Sequence, residues 1–163
     1  MTIASGSAMV LFFLLVGAAG GGQSAVPQDV DGWTKAKWGM SEQEIGLAFA
    51  PDIKTVPYLG LDDVKVDNLH FAVRFWIDPG SKKLIRVRLT NIDKKISASS
   101  FSAIEKALAQ QYGPPTRRAN GARLVSAWEF PSSVIEMHYG ESPLIGRYLV
   151  LSYSQAAKQA PKS

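Results

Sequence analysis

The sequence predicts an α+β fold: an antiparallel sheet of about five strands with two helices packed on one face, in the order α-β-β-α-β-β-β. Three observations carry this expectation. Two segments repeat apolar residues at helical spacing between recognisable caps and stops. Five others alternate apolar and polar residues, so each has one side to bury. The connections between those five are short, which favours antiparallel neighbours.

The elements follow in chain order. Residues 8–19, AMVLFFLLVGAA, form the one long uncharged apolar run. Spanning a bilayer takes about 20 apolar residues, whereas the core of a signal peptide needs about 7–15. Small residues follow at Gly20, Gly21, Gly22, Ser24 and Ala25, although no Lys or Arg precedes the run. Residues 1–25 are therefore expected to be a cleaved signal, or else an uncleaved anchor, and the protein periplasmic or secreted. Residues 26–154 are expected to form one domain, and 155–163 a polar C-terminal tail. The 163 residues include no cysteine and carry a formal charge of +4. An exported chain without cysteine fits a bacterial envelope better than a disulfide-rich secretory route. It also excludes a cysteine-linked lipid anchor.

Ser41-Glu42-Gln43-Glu44 has the form of a capping box, with Met40 and Ile45 placed as a hydrophobic staple. Ile45, Ala48 and Phe49 share a face, and Pro51 is a stop. In the second helix Phe101, Ile104, Leu108 and Tyr112 recur at helical spacing. Residues 97–100 supply N-caps, and Gly113-Pro114-Pro115 ends it. Phe71, Val73, Phe75 and Ile77 share one side of a strand over 70–77. Ile85, Val87 and Leu89 do the same over 84–90. Asp78-Pro79-Gly80-Ser81 reads as the turn between them. Further strands are expected over 123–130, 134–139 and 148–153.

Trp38-Gly39-Met40-Ser41, opening a helix, resembles the Gly-Met-Ser/Thr helix start of small bacterial envelope proteins. These include the small lipoprotein of the outer-membrane β-barrel assembly machinery and proteins with the β-lactamase-inhibitor-protein fold. Tyr112-Gly113-Pro114-Pro115 followed by Trp128 on a strand is similar to the same pattern. The likeness spans about 38–153. It departs at Ala50-Pro51, where those families often have Gly-x-Pro, and in lacking the lipid-attachment cysteine. What the resemblance implies is a binding module rather than an enzyme.

Two sets of outward residues are candidate sites. Arg74, Trp76, Arg86 and Arg88 share the wet side of the first hairpin, with Arg74 expected opposite Arg86 or Arg88. Like charges opposite each other are destabilising, so a carboxylate or an anionic ligand should offset them. An aromatic ring beside guanidinium groups suits protein or anionic-glycan contacts. Alternatively, this is a solvated face whose arginine stems cover apolar surface. Glu129, Glu136 and His138 share the wet side of the later hairpin. A four-residue loop over 131–134 would set Glu129 against Glu136 and Ala127 against His138. Paired carboxylates can divide into an acid and a base. The competing expectation is that these glutamates neutralise the arginines across the sheet.

Asp62, Asp63, Asp67 and Asn68 are expected in a solvated loop, since a calcium loop's spacing is missing. His70 reads as a strand-edge residue. Trp33, Trp38 and Trp128 are expected in the core or at its rim, with residues 33–38 packing across the first helix. The pairs Lys82-Lys83, Lys94-Lys95 and Arg117-Arg118 are scattered rather than striped. No nucleophile-elbow, zincin or P-loop motif occurs. No cofactor, metal or nucleic acid is expected.

The first expectation is thus a non-catalytic envelope module. It would bind a protein or an anionic envelope polymer through Arg74, Trp76, Arg86 and Arg88. One alternative is a small-ligand or anion carrier, holding its ligand between sheet and helices. Another is a small hydrolase or lyase using Glu129, Glu136 and His138.

Overall fold

The computed structural model describes residues 29–119 and 121–157. The apolar leader, and residues 158–163 of the expected tail, lie outside the described residues. A short ribbon, β1 (Gly32–Trp33) and β2 (Ala36–Lys37), precedes helix α1 (Glu42–Phe49). Strands β3 (Gly60–Val66), β4 (Leu69–Ile77) and β5 (Leu84–Asn91) lead to helix α2 (Ala98–Tyr112). Strands β6 (Arg117–Ala119), β7 (Leu124–Glu129), β8 (Ser133–Ser142) and β9 (Gly146–Gln155) complete the chain. Apart from the ribbon, the strands form one sheet in the order β3-β4-β5-β9-β8-β7-β6, antiparallel throughout.

Both helices begin and end for the reasons their sequences give. Ser41 accepts from the Glu44 amide while the Glu44 carboxylate accepts from the Ser41 amide at 2.7 Å. Ser97 and Ser100 make the same reciprocal arrangement on α2. Gly113 ends α2 at φ 81°, a left-handed conformation that costs glycine little, and its N–H donates to Ala109. Ile45 of α1 and Phe101, Ile104 and Leu108 of α2 enter one core with the inward side chains of the sheet. Those include Phe71, Val73 and Phe75 of β4, Val87 and Leu89 of β5, Ile135 and Met137 of β8, and Leu149, Leu151 and Tyr153 of β9. No helix among the described residues is long and apolar enough to cross a membrane.

The sheet has seven strands rather than about five, and the two additions have separate causes. β3 runs through Asp62 and Asp63, which had read as loop. An irregular register between Leu61 and Val64 turns both carboxylates outward while Leu61, Val64 and Val66 stay buried. β6 is a three-residue edge, exposed along its length, with no apolar alternation to announce it. The ribbon was also unforeseen as strand, but its packing matches expectation. Trp33 stacks on Phe49 at 6.0 Å and 11° between planes, and Phe49 meets Phe75 at 5.1 Å. Trp128 is buried with its Nε1–H donating to Gly113 O at 2.8 Å. Trp38, at the rim of the core, donates to Ser133 Oγ at 2.7 Å.

Two further details differ from expectation. A register irregularity at Trp76/Ile77 sets Ile77 against Leu84, so Leu84 takes the buried place and Ile85 is left exposed. β9 also extends to Gln155, one residue into the expected tail, and Ala156 N–H still donates to Ser132 O.

Candidate functional site

The side of the sheet away from the helices is set out in rows by the strand registers. One row reads Trp76, Arg86, Ser154, Val134, Glu129 from β4 through β5, β9 and β8 to β7. The next reads Gly60, Arg74, Arg88, Ser152, Glu136, Ala127, Arg117. A third reads Ala72, Thr90, Val150, His138, Val125, Ala119. Small side chains on β9 and its neighbours therefore floor a strip between a basic bank on β4–β5 and a mixed bank on β7–β8. Arg88 and Glu136 flank Ser152 from two strands apart, about 9.5 Å between backbones.

The four residues of the basic bank come together, but they do not play the same part. Arg74 lies opposite Arg88, and its charge is taken up by the edge strand. Its Nη2 is 3.5 Å from Asp62 Oδ1, and its Nη1 donates to Val73 O at 3.0 Å and Leu61 O at 3.3 Å. Its guanidinium also sits 5.7 Å from the centre of the Tyr58 ring. Gly60 makes room for it: a Cβ there would meet Val73 O at 2.1 Å and Arg74 Nη1 at 2.8 Å. Lys54 bonds Asp62 as well. Lys54 first, then Arg74, hold the Asp62 carboxyl below its ordinary pKa of 3.8.

Arg86 and Arg88 are different. Both are exposed, and neither has a carboxylate within ion-pair distance among the described residues. Arg86 Nε donates to Ser154 Oγ at 3.2 Å, and Trp76, 40 % exposed, lies directly opposite it. The glutamates do not neutralise this pair. Glu136 bonds Arg117 at 2.8 Å, bridging over the buried Ala127 between them.

The later hairpin corrects the expected pairing. Phe130 N–H donates to Ser133 O, so Pro131-Ser132 is a two-residue turn rather than a four-residue loop. Glu129 consequently faces Val134, Glu136 faces Ala127, and His138 faces Val125. Glu129 and Glu136 are diagonal neighbours, about 7–8 Å apart at the backbone. His138 Nε2 is 3.9 Å from Glu136 Oε2. No group of three potential metal ligands gathers among the described residues. His70 sits at the end of β4, its Nδ1 2.6 Å from Asp63. Asp67 lies in the β3–β4 turn at φ 54°, followed by Asn68.

An open depression of about 940 Å³ lies beyond the Glu129 end of the first row, between the ribbon, the end of α2 and the end of β7. Tyr112, Trp128 and Phe130 line it, with Asp29, Asp31 and Glu129 among its polar groups. Asp31 pairs with Lys37. Its acids make it a poor receptor for an anion. Comparison with family models, curated proteins and solved structures finds no match to the chain. The likeness to small envelope proteins therefore rests on the residues that carry it.

Proposed function

We propose that the chain is an exported, non-catalytic binding module of the bacterial envelope. Its helix-free sheet face receives an anionic protein surface through Arg86, Arg88 and Trp76. The observation that carries this reading is a pair of adjacent, outward guanidinium groups without a carboxylate partner among the described residues, beside a half-open indole, on a floor of small side chains. Same-side residues on one strand stand about 7 Å apart, so the pair presents two fixed charges rather than a diffuse field. Arg74 is removed from this contact set, because its guanidinium is committed to Asp62 and two backbone carbonyls. The leader at 8–19 supports export, and the absence of cysteine supports an envelope setting without disulfides.

The test is capture of envelope proteins on the immobilised domain, compared across variants. Arg86→Ala with Arg88→Ala, and Trp76→Ala separately, are expected to abolish capture while changing stability by less than about 1 kcal/mol. Arg117→Ala, on the opposite bank, leaves capture intact. Capture should also weaken steeply with salt, as contacts between exposed charges do. Undiminished capture by the Arg86/Arg88 and Trp76 variants removes the assignment. Capture of a polysaccharide instead of a protein would reassign the partner's class.

A further inference from the structure

The β8–β9 hairpin runs past its neighbours. β7 pairs with β8 only as far as Tyr139, and β5 pairs with β9 only as far as Val150. Gly140–Ser142 and Gly146–Tyr148 therefore form a projecting two-stranded arm. At its apex are Leu144, 94 % exposed, and Ile145, 72 % exposed. Leu144 is the most exposed large hydrophobic side chain among the described residues, and Ile145 beside it makes the apex a pair, whereas the exposed Val56 and Leu47 lie elsewhere. Gly146 turns the chain back at φ 72°.

Polar and aromatic groups follow the apex in order of depth. Below the Ser142–Gly146 pair, Arg147 and Glu141 face each other at the second level, with Arg147 Nε 3.8 Å from Glu141 Oε2. Tyr148 and Gly140 face each other at the next. The Tyr148 hydroxyl lies over Gly140, where a Cβ would meet it at 2.8 Å, and the Arg123 stem lies 3.3 Å from the same point. Exposed Lys94 and Lys95 follow β5 at this end of the sheet. The acids at this end are Glu141, Asp67 of the β3–β4 turn, Asp63, whose carboxylate meets the His70 ring, and Asp93, whose carboxylate accepts from the His70 amide and Asn91.

From this layering we infer that the arm inserts its Leu144–Ile145 apex into the surface of an anionic bilayer. Strands rise about 3.3 Å per residue, so Arg147 and Tyr148 lie within about 10 Å of the apex. That matches the 5–10 Å to which interfacial segments bury their apolar part. Tyr and Arg are the side chains that settle at headgroup depth, with the ring or stem in apolar surroundings and the polar end wet. The apex composition favours lipid over a protein pocket. Protein anchor residues are enriched in Trp, Tyr and Arg, and leucine is under-represented among them. Two aliphatic side chains give only weak, reversible insertion, so the exposed Arg147, Lys94 and Lys95 make the contact depend on anionic headgroups, with Glu141 opposing them. This inference does not depend on the Arg86/Arg88/Trp76 face, which lies on a different part of the sheet.

The full chain is tested by co-sedimentation with vesicles of phosphatidylcholine, with and without phosphatidylglycerol. Because residues 8–19 are apolar in their own right, every comparison is between variants that share that segment. Leu144→Ser with Ile145→Ser is expected to weaken binding to phosphatidylglycerol vesicles on the order of tenfold to a hundredfold. Arg147→Gln weakens it several-fold and flattens its salt dependence, whereas Glu141→Gln strengthens it. An independent reading comes from Leu144→Trp. The introduced indole is expected to shift its emission to the blue on phosphatidylglycerol vesicles and to be quenched by lipids brominated on their acyl chains. Absence of that quenching overturns the inference. So does equal binding by wild type and the double serine variant, or an apex that proves to mediate self-association of the wild type in the absence of lipid.

Discussion

Ser41 and Glu44 tie the start of α1 to a charge. The Ser41 amide and hydroxyl both donate to the Glu44 carboxylate and hold its pKa below the ordinary 4.5. The ionised form is thus favoured by folding. Its contribution is present above the unfolded pKa and is lost as pH falls through the lower folded value. Three other carboxyls are shifted the same way. Ser132 lowers Asp29, Lys54 lowers Asp62, and the Ser81 amide lowers Asp78. The melting temperature should therefore hold steady above about pH 5 and decline toward about pH 3. Glu44→Gln should make that decline shallower. Ser41→Ala should cost about 1 kcal/mol by urea denaturation at neutral pH. Capping of this kind is legible in four consecutive residues, because both partners lie within one turn.

At the scale of elements, legibility depended on whether a segment's partner was local. The β4–β5 turn was readable because Asp78 organises it, accepting from the Ser81 amide within the turn. The turn between β7 and β8 differs from expectation because Pro131-Ser132-Ser133 is compatible with two loop lengths. A shift of two residues moved Glu129 from Glu136 to Val134. β3 is not announced by its sequence because its central carboxylates make sense only once Lys54 and Arg74 are beside Asp62 and His70 beside Asp63. Arg74 straps this edge strand down across Gly60. Arg74→Ala should therefore lower stability by about 1–3 kcal/mol and speed amide exchange in β3 more than in β9. Gly60→Ala should have the larger effect, since its methyl would collide with a backbone carbonyl in the ladder. Equal exchange across both strands in Arg74→Ala would show that the guanidinium is dispensable to the edge. The outward side of Arg86, Arg88 and Trp76 was legible from alternation alone. Their lack of a carboxylate partner among the described residues was not, since it depends on Glu136 of β8 pairing with Arg117 of β6, the far edge of the sheet.

For the whole molecule the deciding contact is the ladder between β5 and β9, in which Leu89 faces Leu151 and Val87 faces Tyr153. It joins α1 and β3–β5 to α2 and β6–β8, and its partners are 60 to 68 residues apart in sequence. No local pattern announces such a pairing, so strand order was not legible. Burying Leu149, Leu151 and Tyr153 stabilises by about 1.5–3 kcal/mol each, which in sum rivals the smaller values in the 5–15 kcal/mol range of a whole domain. A chain ending at Ile145 should accordingly lack near-ultraviolet circular dichroism and be cut rapidly by protease. A cooperative melting transition in that fragment would contradict this account.

The last of the described strands fills the middle of the sheet. While β9 is still inside a ribosome, both half-sheets wait with bare inner borders. Closure of the sheet is therefore withheld until β9 is free to slot between them, and the two halves stay loose until then.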